Sequence, residues 1–74
     1  MKVRSFLVGS SVRYYNNGVL EDGTVLFKWR TSSDWMVSIK SCTGAILNLP
    51  INKCLLINFK LDGKLYNSLG EEIA

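Results

Sequence analysis

The chain reads as one small all-β domain, and three features of its sequence predict this. Apolar and polar residues alternate over short runs, and turn-forming residues recur roughly every eight to twelve positions. No long apolar stripe of helical period is present.

The elements follow in order. Lys2 to Val8 and Val12 to Tyr15 are rich enough in β-branched and aromatic residues for strands, with Gly9-Ser10-Ser11 breaking them apart. Asn16-Asn17-Gly18 and Asp22-Gly23 both predict turns, because Asn and Gly accept positive φ and Asp-Gly suits a type I′ turn. Val19 to Glu21 between them then becomes a very short strand or connector. Thr24 to Arg30 alternates, with Val25, Phe27 and Trp29 on one face and Leu26, Lys28 and Arg30 on the other. Trp35 to Lys40 repeats the pattern, with Trp35, Val37 and Ile39 opposite Met36, Ser38 and Lys40, so Thr31-Ser32-Ser33-Asp34 reads as a hairpin loop.

Ala45 to Leu49 is a strand ended by Pro50, which cannot donate to a ladder. Lys53 to Leu61 is the second long strand, placing Leu55, Ile57, Phe59 and Leu61 on one face and Cys54, Leu56, Asn58 and Lys60 on the other. Asp62-Gly63 turns the chain back through Lys64 to Asn67. Ser68-Leu69-Gly70-Glu71 fits a capping box, but only three residues follow it, so the segment is a short C-terminal helical turn or a frayed tail. The sum is about six to eight short antiparallel strands in a small sheet or partly open barrel of SH3-like or OB-like size, either monomeric or dimerising.

A chain of 74 residues supports one core, and such a core rarely supplies more than about 3–5 kcal/mol without disulfides, metal or a partner subunit. There is no histidine, and the two cysteines, Cys42 and Cys54, form neither a CxxC pattern nor a zinc set, so no metal and no cofactor is expected. The expected state of both cysteines is reduced and buried, with a Cys42–Cys54 disulfide as the less favoured alternative. Self-association is the remaining support. The longest hydrophobic run, Cys54 to Ile57, is far short of the roughly 20 residues that span a bilayer, and the run Phe6 to Val8 is too short for a secretory leader. The expectation is a soluble cytoplasmic protein.

Without histidine, Ser-His-Asp and Cys-His catalytic arrangements are excluded. Cys42 is expected to be an inert thiol, and the carboxylates Glu21, Asp22, Asp34, Asp62, Glu71 and Glu72 all fall at predicted turns or in the tail. The six glycines match no phosphate-binding loop. The sequence therefore favours a non-enzymatic binder.

The densest candidate segment is Lys28-Trp29-Arg30 followed by Trp35-Met36, since Trp, Arg and Met anchor protein interfaces. Trp29 and Trp35 also fall in phase with Val25, Phe27, Val37 and Ile39, so the alternation fits both equally well as core. Tyr15, on the same side as Arg13, extends the candidate surface because adjacent Tyr14 and Tyr15 must point to opposite faces. The leading expectation is a protein-binding module, an accessory or inhibitory factor acting on a larger protein through Tyr15, Lys28, Trp29, Arg30, Trp35 and Met36. The alternative is a small basic nucleic-acid-binding barrel. Its net charge of +3 favours anions weakly, with Lys28, Arg30, Lys40, Arg13 and Lys60 on phosphates and Tyr15 or Trp35 stacking on bases.

Overall fold

A computed structural model describes residues 6–73, of which nearly all the ordered backbone is strand. Seven strands form one open antiparallel sheet in the order β4-β3-β2-β1-β5-β6-β7. They are β1 (Ser11–Asn16), β2 (Val19–Arg30), β3 (Trp35–Ser41), β4 (Ile46–Pro50), β5 (Cys54–Leu61), β6 (Lys64–Asn67) and β7 (Glu72–Ile73). A single 3₁₀ turn, Ile51–Lys53, joins β4 to β5.

That short link decides the shape of the sheet. β4 is four strand positions from β5, which in a flat sheet is about 19 Å, whereas the four residue steps from Pro50 to Cys54 reach at most about 15 Å. The sheet must curl. Its inner face then closes over one cluster: Phe6, Val12, Tyr14, Val25, Val37, Ile39, Ile51, Cys54, Leu56 and Phe59. Ile51 in the 3₁₀ turn is 4% exposed, so the link contributes to the core as well as to the path of the chain.

Two bulges set which side chains enter that core. The β2–β3 register steps from Val25↔Ile39 to Phe27↔Ser38, leaving Leu26 unpaired. The β1–β5 register steps from Val12↔Leu56 to Ser11↔Asn58, leaving Ile57 unpaired. Each extra residue inverts the alternation beyond it. Val25 is buried but Phe27 is 53% exposed, and Leu56 and Phe59 are both buried although they are three positions apart, which in an unbulged strand puts them on opposite faces. The expected grouping of Val25 with Phe27 and Trp29 is thereby corrected, as is that of Leu55 with Phe59 and Leu61, while Phe59 and Leu61 keep a shared face. Leu55 is 60% exposed and Leu61 49%.

The turns divide into those chosen by backbone conformation and one that is no turn at all. Asn17 and Gly18 have φ of 52° and 80°, and Asp62 and Gly63 have 53° and 78°, as tight hairpins between right-twisted strands require. Thr31 closes the β2–β3 loop by accepting the Ser33 and Asp34 amides on its hydroxyl. Asp22-Gly23, expected to turn, instead runs straight through β2. A Cβ at Gly23 would lie 2.5 Å from Ile39 Cγ2 and 2.8 Å from the Lys40 carbonyl, so glycine is there for close approach of strands.

At the N-terminus, residues 2–5 of the expected first strand lie outside the described residues, and Phe6, Leu7 and Val8 are not strand. At the C-terminus neither a helical turn nor a frayed tail forms. Asn67 Oδ1 accepts the Leu69 and Glu71 amides, and the chain reverses into β7. Among the described residues no helix is long and apolar enough to cross a membrane.

Candidate protein-binding face

Because the sheet curls round its core, every residue out of phase with the core lies on the outward face. The Leu26 bulge puts Phe27 and Trp29 there, with ring centroids 5.2 Å apart. Trp29 pairs with Met36, and Met36 pairs with Pro50, so three strands contribute Trp29, Met36 and Pro50 in one row. The adjoining row is Phe27, Ser38 and Asn48. Trp29 and Met36 are half-buried against their neighbours, while Phe27 stands out. None of these six side chains is charged, and Ser38 and Asn48 are short enough to leave the aromatic and Met surface accessible from above.

The other tryptophan faces inward. Trp35 packs partly buried against the core, with the Arg30 guanidinium 5.8 Å from its ring centroid. The expectation that both tryptophans share a face is corrected: one is a core-edge residue and the other a surface residue. Arg30 is exposed beside Trp35, and Lys28, which pairs with Val37, is half-buried on that same side.

Tyr15 is remote from the hairpin. It pairs with Leu20, which lies nine residues before Trp29 along β2, roughly 30 Å away. Tyr15, Leu20 and Leu55, at 69%, 51% and 60% exposed, make a separate apolar patch on the same outward face. They line a shallow groove of about 470 Å³ with Arg13, Asn52 and Lys53. The Arg13 guanidinium donates to both carboxylate oxygens of Asp22 at 2.8 and 3.2 Å, holding the Asp22 carboxyl below its ordinary pKa. The six expected contact residues therefore fall into three places: Trp29 and Met36 on the outward hairpin, Lys28, Arg30 and Trp35 on its inward side, and Tyr15 at the far end.

The five cations expected to meet phosphates are also divided. Arg13, Lys40 and Lys60 lie on the outward face, the first committed to Asp22, and Lys28 and Arg30 on the inward side. Between the two apolar patches, a groove of about 390 Å³ runs past Ser11, Thr24, Lys40, Cys42, Ile57 and Asn58. Cys42 is exposed here, contrary to the expectation that both thiols are buried, and Cys54 is buried, donating to the Pro50 carbonyl at 3.7 Å. Burial pushes the Cys54 thiol up to about 11.

Phe27, Pro50, Leu20 and Leu55 were not among the expected contact residues. Alternation hides Phe27, since the bulge that exposes it has no marker in the residue types around it. The turn signal of Asp22-Gly23 hides Leu20, because it reduces Val19 to Glu21 to a short connector where the chain is one long strand. No protein-family model, curated protein or solved structure matches this chain.

Proposed function

We propose that the chain is a non-enzymatic protein-binding module, an accessory or inhibitory factor that covers part of a larger protein with the outward face of its β2–β3 hairpin. The observation that carries this reading is the bulge at Leu26, which turns Phe27 and Trp29 outward beside Met36 and Pro50. Aromatic and Met side chains, gathered without charge, have the composition of an interface core. Uncharged rows of this kind offer nothing to a phosphate backbone. The two free thiols, one of them exposed, fit a reducing compartment such as the cytoplasm.

The test is a pull-down at low and high salt, with and without nuclease, comparing wild type with Phe27→Ser/Trp29→Ser and with Tyr15→Ser. Phe27 and Tyr15 are exposed and Trp29 is half-buried, all outside the core, so circular dichroism and thermal melting should show intact folds. The expected result is a protein partner that survives nuclease and high salt, is retained by Tyr15→Ser, and binds the double variant at least roughly tenfold more weakly. Retention by the double variant, or recovery of nucleic acid that is lost at high salt, overturns the reading.

A further inference from the structure

We infer that β4 is the self-association edge of this protein, pairing antiparallel with β4 of a second copy around a two-fold axis at Leu47. The β3–β4 ladder is fixed by the Ser41 amide donating to the Ala45 carbonyl at 2.8 Å. Hydrogen-bonded pairs alternate with non-bonded ones in an antiparallel ladder. From Ser41/Ala45 onward, Leu47 and Leu49 therefore bond to Ile39 and Val37, whereas Ile46, Asn48 and Pro50 turn their backbone groups to the open edge. The position of Pro50 agrees, because a proline is tolerated where the missing N–H would face away from the sheet.

That edge is self-complementary. Opposite a second β4 with Leu47 facing Leu47, Ile46 of each copy meets Asn48 of the other, and both pairs are of the bonded kind. All the outward N–H and C=O groups of Ile46 and Asn48 are then satisfied by four hydrogen bonds. Sliding two residues towards Pro50 loses donors, since Pro50 has none and its carbonyl already accepts the Cys54 thiol. The sequence of β4, Ile-Leu-Asn-Leu-Pro, carries no charge, and Ile46 is 56% exposed. Natural edge strands are usually guarded by charged side chains, as the other edge is here by Glu72 in β7 and Glu71 just before it. Among the described residues no segment pairs with the outer side of β4. A five-residue edge buries less than the about 1,200 Å² of a stable interface, so the dimer is reversible and concentration-dependent.

Sedimentation velocity of the full chain over a concentration series tests this. The expected result is a monomer–dimer equilibrium in wild type, weakened at least about tenfold by Asn48→Pro, which removes an outward N–H and no bond to β3. Circular dichroism and melting establish that the variant is folded, and Ile46→Lys, which places a charge on the edge without touching the ladder, is the second variant. The register is read separately: in a Cys42→Ser background, oxidised Leu47→Cys should cross-link into covalent dimers, because non-bonded pairs bring their Cβ atoms close. A monomer up to the solubility limit, or a dimer that both folded edge variants retain, overturns the inference. Failure here leaves the hairpin reading standing, since that reading is tested at Phe27 and Trp29 on β2, two strands in from the edge.

Discussion

Gly23 shows how one residue type carries two opposite messages. Beside Asp22 it predicts a turn, yet its backbone is extended and its missing side chain lets β3 and the Tyr14 ring come close. Gly23→Ala should destabilise the protein by about 1–3 kcal/mol through overpacking, seen as a lower urea midpoint with an unchanged slope. The thiols make a second residue-scale prediction. Native protein should react with one equivalent of an aromatic disulfide reagent, at Cys42, and denatured protein with two, because Cys54 is buried and its pKa is raised. The same shift fixes an alkaline limit. The folded state holds the Cys54 proton more tightly than the unfolded state does, so the contribution of this thiol to stability is full below pH 9.0 and is lost as pH rises towards about 11. Tyr14 acts with the same sign from pH 10.0 upward, because burial, and then the nearby Glu21 carboxylate, raise its pKa. Denaturation midpoints measured across this range should decline, and Cys54→Ala should flatten the first part of the decline.

At the scale of elements, the strands were legible wherever side-chain period alone decides the structure. Trp35 to Lys40 is a strand as expected, with Val37 and Ile39 in the core and Lys40 exposed, although Ser38 between them is buried too, at 1%. The Asn17-Gly18 and Asp62-Gly63 turns were legible because positive φ restricts the residues that can occupy them. Gly18→Ala should accordingly cost about 1–2 kcal/mol, measurable as a lower melting temperature. The bulges were not legible, since an unpaired Leu26 or Ile57 is a residue any strand accepts, and its effect appears only in the partner's register. A deletion pair tests this. Removing Leu26 leaves Val25↔Ile39 and Phe27↔Ser38 paired and should leave a folded protein about 1 kcal/mol less stable that still binds. Removing Lys28 instead inverts Trp29 and Arg30 and should abolish binding or folding. The candidate site shares this limit: Trp29 and Met36 could be picked from residue type, whereas their separation from Trp35 depended on the bulge.

For the whole molecule, the sheet order places the longest-range pairing at its centre. β1 lies between β2, its neighbour in sequence, and β5, whose Leu56 faces Val12 across 44 positions. Closing the curled sheet therefore waits on a distant strand, and folding should take milliseconds to seconds rather than microseconds, as read by stopped-flow fluorescence. The division of the tryptophans between faces makes that experiment more informative than usual. Trp35 changes environment when the core forms, while Trp29 stays half-exposed on the outward face beside Phe27, where the proposed partner would cover it. Two single-tryptophan proteins, Trp29→Phe and Trp35→Phe, thus separate two optical signals that the wild type mixes: the first emits on folding and the second on recognition, with no attached dye.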